Sequence, residues 1–168
     1  MFYRVAKIRI SNACRMYTER NSVVVVGLIV LLFMTSCAAP IYEFPQGELQ
    51  GCGPTLRLDI VSTESSRQRG LMGVKKLPNK YGMLFVFEDT IQPAFWMKDT
   101  LVPLEVVFMS NTGIIKAIIP MQPLSETVHQ APEPLPFALE VPQGWMAKHD
   151  VNVGDTCTIV LPSSLVVE

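Results

Sequence analysis

Histidine is scarce in this chain. There are two in 168 residues, His129 and His149, far apart in polar segments. They form no metal-ligand spacing, so both are expected on the surface and no metal site is expected. Also missing are GxSxG, HExxH, a P-loop and a dinucleotide-type glycine pattern. Their absence excludes the enzyme families those motifs define, and no cofactor is expected. It does not exclude catalysis, because an acid–base pair assembled in space needs no local motif. A membrane-spanning run is missing too. The apolar stretch VVVVGLIVLLF (23–33) has 11 residues, and at a rise of about 1.5 Å per residue it covers only about half of a ~30 Å hydrocarbon core. Basic charge is short beyond residue 36, where 9 Lys and Arg face 14 Asp and Glu. A surface that acidic is poorly suited to neutralising phosphates, so nucleic acid is not an expected partner.

The basic residues that are present gather at the start. Arg4, Lys7, Arg9, Arg15 and Arg20 precede the apolar run, with Glu19 alone opposing them. A basic segment followed by a short apolar core has the layout of an export signal. The segment is long for one, which leaves Met16 open as the start. After the core comes Met34-Thr35-Ser36-Cys37, which resembles a bacterial lipobox: apolar at −3, small at −2 and −1, cysteine at +1. The expectation is a signal peptide over 1–36 and acyl chains on Cys37. The competing reading is a buried cysteine ending an ordinary anchor helix. Each buried CH₂ contributes about 0.8 kcal/mol, and two or more chains give stable anchoring. The expected partner is therefore a membrane, and the expected location is extracytoplasmic. Ala38 follows the cysteine, and the lack of aspartate there fits the outer membrane if the organism has one.

With Cys14 lost in the signal and Cys37 lipidated, Cys52 and Cys157 remain. An even pair in an oxidising compartment permits a disulfide, provided the first and last strands pair. Two unrelated buried thiols are the alternative.

Residues 37–54 mix Pro, Gly and polar residues without a period and read as a lipidated tether. Residues 55–162 read as one domain and 163–168 as a tail. TLRLDIVS (55–62) alternates as a half-buried strand does. Thr63 can cap a short helix closed by Gly70 or Gly73. GMLFVFE (82–88), AFWMK (94–98), LEVVFM (104–109), IIKAIIP (114–120), FALEV (137–141) and part of 151–162 are strand-like. SNTG (110–113) is a hairpin turn, and QGWMAKHD (143–150) suits one or two helical turns. Four prolines keep 122–137 irregular. About seven short strands with one or two short helices predict a mainly β sandwich or barrel-like domain, monomeric in isolation.

RQRGLM (67–72), GMLFVF (82–87), FWMKDTLVPLEVVFM (95–109), ALE (138–140) and VGD (153–155) stand in the order and spacing of the domain of unknown function 192 family, which the chain resembles over roughly 55–161. The resemblance implies a compact β-sandwich-like domain, often exported in bacteria, with no established activity. Asp99 stands where that family usually has asparagine, Glu105 where it has aspartate, and Val74 where arginine is frequent. The 122–137 loop is shorter than in many members and lacks cysteine.

Two clusters carry candidate chemistry. In an extended FWMKDT, Phe95, Met97 and Asp99 face one side, and Trp96, Lys98 and Thr100 the other. An indole wall beside an ammonium can hold an acidic or sugar-like ligand, with Glu105 on the next strand. The plainer reading is an ion pair between Lys98 and Glu105 or Asp99, with Asp99 and Thr100 bonding the Pro103 turn. The second cluster is Arg67, Arg69, Lys75 and Lys76, followed by Lys80. It suits phosphate or carboxylate groups, or is simply a solvated face. The leading expectation is a lipid-anchored envelope domain with a binding or accessory role. Its partner would be an envelope polymer, a small anionic ligand or an envelope protein. The alternative is a small hydrolase or lyase acting on an envelope polymer through Lys98 and a carboxylate.

Overall fold

A computed structural model describes residues 44–88 and 91–165. The expected signal peptide (1–36), Cys37, residues 38–43 of the tether and the last three residues of the tail lie outside the described residues. Nine strands and two short helices follow one another as β1 (Gln46–Gln50), β2 (Leu56–Val61), α1 (Glu64–Arg69), β3 (Tyr81–Val86), β4 (Ala94–Phe95), β5 (Leu104–Met109), β6 (Ile115–Met121), β7 (His129–Gln130), β8 (Phe137–Pro142), α2 (Trp145–Lys148) and β9 (Thr158–Val160). Seven strands form one curled sheet in the order β6-β5-β8-β3-β2-β1-β9, and β4 pairs with β7 in a small second sheet. The mainly β expectation is met. Among the described residues no helix is long and apolar enough to cross a membrane.

β2 and β3 are parallel, whereas every other pair in the large sheet is antiparallel. A parallel pair needs a crossover, and α1 supplies it. Thr63 starts α1 with a capping box: its hydroxyl accepts from Ser66 N–H at 3.3 Å, and Ser66 Oγ accepts from Thr63 N–H at 3.1 Å. Gly70 ends the helix at φ 45°, a conformation a side chain would oppose.

The central strands are buried on both faces, so each carries two sets of apolar side chains. One face holds Leu58, Ile60, Leu84, Val86, Val107, Leu139 and Val141, and α2 lies over it with Trp145 and Met146. The other holds Met83, Phe85, Val106, Phe108 and Ala138, covered by Leu71, Phe95, Met97 and Leu135 from the loops. Pro120 falls in β6, an edge strand, where a missing N–H breaks no ladder.

The tether expected over 37–54 ends sooner than its composition suggests. Residues 46–50 form β1, hydrogen-bonded between β2 and β9. Side chains settle that pairing: Arg57 Nε donates to Gln46 Oε1 at 2.9 Å, and Gln46 Nε2 donates to Asp59. The β1–β9 pairing brings Cys52 and Cys157 together with Cα atoms 5.1 Å apart, and the two are disulfide-bonded. At the β5–β6 turn Gly113 has φ 79°, and a Cβ there would lie 1.9 Å from the Cys157 carbonyl oxygen. The hairpin therefore closes on the disulfide only with glycine at this point.

Candidate functional site

The FWMKDT segment does not stay extended. Only Ala94 and Phe95 are strand, and the chain then turns, with Thr100 N–H donating to Met97 C=O at 3.0 Å and Asp99 at φ 56°. Alternation stops at that turn. Phe95 and Met97 are buried as expected, but Asp99 points to solvent and Thr100 is buried. Trp96 is 44% exposed, with the Lys98 ammonium 5.3 Å from its ring centroid.

Among the described residues Lys98 pairs with no carboxylate, whereas Lys116 pairs with Glu133 at 3.3 Å. Glu105 projects from the opposite face of β5, where its carboxylate accepts from Gly144 N–H at 3.0 Å and Met146 N–H at 2.7 Å. These are amides at the start of α2, which lack partners within the helix. The expected network of Trp96, Lys98, Asp99, Thr100 and Glu105 is thus divided by the sheet. Glu105 holds α2 in place and is not brought to Lys98.

The basic cluster also divides. Arg67 is half-buried. Its guanidinium donates to the carbonyls of Ser62 and Val86, the latter at 2.9 Å, and lies 5.1 Å from the Phe87 ring centroid. It braces α1 against β3. Arg67 and Arg69 border one pocket, whereas Arg69 and Lys76 border a neighbouring groove that Lys75 does not line. His129 and His149 are partly exposed. No three His, Cys, Asp or Glu side chains of the described residues converge to hold a metal.

The first of these pockets encloses about 230 Å³ between α1, the sheet and the β4 loop. Phe85 and Phe95 line it edge to face at 4.8 Å, with Phe87 at 6.2 Å from Phe95. Trp96 stands at its rim, and Glu64, Arg67, Gln68, Arg69 and Thr100 add polar groups to its boundary. Glu140 of β8 also lines it. In the ladder it sits between Met83 of β3 and Val106 of β5, so its same-face neighbours across both strands are apolar. It is 5% exposed, and no described residue hydrogen-bonds or ion-pairs its carboxyl. Desolvation raises its pKa from 4.5 to about 8. Burial disfavours the charged form.

The sequence pattern identifies FALEV as a strand, which it is, but does not single out Glu140 within it as a site. The available signal was a carboxylate at the alternation position of Ala138, in a strand whose other residues are apolar.

The pattern of the DUF192 family, described as uncharacterized ACR, matches residues 48–159. The chain belongs to this family. Two solved structures share the DUF192 chain's fold. One is a Sinorhizobium meliloti protein provisionally assigned as a transcription regulator, at 28% identity and TM-score 0.66, covering 70% of this chain and 96% of its own. The other is a protein of unknown function from Novosphingobium aromaticivorans, at 23% identity and TM-score 0.64, covering 71% and 89%. No curated protein matches.

Proposed function

We propose that this DUF192 chain is a lipid-anchored, extracytoplasmic binding domain that takes a small ligand in the Glu140 pocket. The observation that carries this reading is the Glu140 carboxyl, which lines an aromatic recess and is hydrogen-bonded by no described residue. A few polar groups converging on an apolar recess are what orients a small ligand. A volume near 230 Å³ lies below the ~300–1,000 Å³ of drug-sized sites, so the ligand is small. Anchoring rests on the 23–37 signal. The transcription-regulator assignment of the Sinorhizobium protein does not transfer well to a domain with more acidic than basic side chains.

The test is a search for a bound small molecule, using emission from Trp96 as the reporter. A small-molecule extract of the cell envelope should shift that emission saturably and without generating product. Ala94→Leu, which plugs the mouth from an exposed position, should abolish the shift. Turnover of an envelope polymer would instead favour an enzyme. No shift in the native chain, or one that Ala94→Leu leaves intact, would remove the pocket from consideration. For the anchor, mass spectrometry of the membrane-extracted chain should find an acylated N-terminus at Cys37. Recovery of an unmodified, uncut chain would defeat that part.

A further inference from the structure

We propose that the two loop segments bearing Trp96, Leu101, Leu124 and Val128 rest on a lipid bilayer, with Trp96 and Lys98 at the level of the headgroups. This inference rests on the acyl anchor at Cys37 and adds the face of the domain that the anchor brings to the membrane.

Three observations carry it. First, exposed apolar side chains collect on two neighbouring segments. Phe95 pairs with His129, Met97 N–H donates to Ser125 C=O at 2.8 Å, and Leu124 N–H donates to Thr100 C=O at 3.0 Å. This antiparallel arrangement sets Trp96 opposite Val128 and brings Leu101 close to Leu124, and all four side chains are exposed. Apolar patches of this kind mark contacts with a membrane or a protein. Second, Leu124 is held at φ 61°, a left-handed conformation that bulky residues rarely take. Its side chain is 61% exposed, so burial does not offset the strain. Strain of this sort gathers where function demands a geometry, and here it displays an apolar side chain. Third, the chain enters the domain on the same side. Phe44 packs against the core face that holds Phe95 and Met97. It borders a groove with Gly70, Leu71 and Met72, which also border the Glu140 pocket beside Trp96. Gly73 N–H donates to Asp99 C=O at 2.9 Å, joining these stretches. Residues 38–43 separate Cys37 from Phe44. At about 3.6 Å per residue that stretch reaches at most about 25 Å, less than the ~35 Å breadth of a domain of this length. A domain anchored so closely turns its entry side to the lipid. The side chains there suit that setting. Trp96, with the Lys98 ammonium 5.3 Å from its ring centroid, is the amphipathic pairing found in headgroup layers, where lysine reaches up to phosphate. Exposed charge nearby almost balances, Lys75, Lys76 and Lys98 against Asp99 and Glu126, so the contact is apolar and needs no anionic lipid.

The test takes the chain extracted from membranes and reconstitutes it into phosphatidylcholine vesicles whose acyl chains carry bromine, a contact quencher of tryptophan. Trp145 is the constant background, because it is buried and its indole N–H is bound to Asn79 C=O at 2.8 Å. Trp96→Phe measures that background. Trp96 emission should be quenched, and replacing part of the phosphatidylcholine with an anionic lipid should leave the quenching as it is. A chain carrying Leu101→Ser, Leu124→Ser and Val128→Ser together should float with the vesicles, held by its acyl chains, yet lose the quenching. Its urea midpoint should stay put, since all three side chains are exposed. Leu124→Gly suits the left-handed backbone and should keep or raise the midpoint while weakening the quenching. An acylated, vesicle-bound chain whose Trp96 is not quenched would overturn the inference and leave the anchor standing. Quenching that survives the triple substitution would place the contact elsewhere and overturn it as well. Crosslinking through position 124 to a second copy or to another protein, without quenching, would give the surface to that partner instead. An unacylated chain that does not float with vesicles would remove the anchor and this contact together, and leave the Glu140 pocket to its own test.

Discussion

Replacing Glu140 with glutamine should stabilise the protein, and by an amount that grows with pH. In the unfolded chain the carboxyl titrates near its usual 4.5, and in the fold near 8. The folded state therefore holds its proton longer. Below pH 4.5 both states are protonated and the acid carries no penalty. Between 4.5 and 8 the unfolded chain releases the proton first, so stability is lost as pH rises, and the loss is complete above 8. At 1.36 kcal/mol per unit, the penalty is about 1 kcal/mol at pH 5, about 3 at pH 7 and about 5 at pH 9. Glutamine has nearly the same shape and no charge, so the penalty disappears. Urea midpoints of both proteins at pH 5, 7 and 9 measure the difference directly, and other titrating groups cancel in it. A difference that is constant across the three values would refute the argument, because a pure packing effect of the substitution has no reason to follow pH.

Other substitutions read other parts of the fold. Reducing the Cys52–Cys157 bond, which spans 105 residues, should cost up to about 4.7 kcal/mol on the chain-entropy account, seen as a lower urea midpoint with reductant. Non-reducing peptide maps should show the two cysteine peptides joined. Glu105→Ala should cost about 3 kcal/mol, because it strands two amides of the α2 start at a buried position. Lys98→Met should stay within about 0.5 kcal/mol, as expected of a surface substitution with no ion pair; equal losses from the two would revive the Lys98–Glu105 pair. Gly113→Ala forces a Cβ into the Cys157 backbone at positive φ and should cost about 2 kcal/mol or more in denaturation.

Much of the fold was legible because strand burial leaves a local pattern. TLRLDIVS alternates, GMLFVFE does not, and the two read correctly as β2 and β3. Thr63 and Gly70 punctuate α1 as their chemistry demands. β1 was not legible. QGELQ has little apolar content, and its place in the sheet comes from Gln46 meeting Arg57 and Asp59, contacts that exist only once the strands are side by side. β7 escaped for a similar reason, being two residues long, and its partner β4 ends at Phe95 where AFWMK reads as a strand through Lys98. The candidate site failed in an instructive way. Alternation was extended through Lys98, Asp99 and Thr100, but Asp99 takes a left-handed conformation and reverses the faces. Charges that look conspicuous in a sequence, such as Lys98, can simply be solvated. Glu140 drew no notice because one acid in an apolar strand is inconspicuous until its neighbours on both sides prove to be Met83 and Val106.

The disulfide also gives the chain a covalent topology that its sequence order conceals. Residues 52 to 157 form a closed ring, and every residue lining the Glu140 pocket lies on it. A single cut by a protease in the exposed, proline-rich stretch after β6 would open that ring without releasing either piece. The nicked protein would gain the mass of one water and run as one species until reductant is added. Its two halves would stay tethered at the sheet edge, and α1 would remain joined to the same fragment as β3. Damage at the surface would then leave the recess in one molecule, where an unbridged chain would come apart.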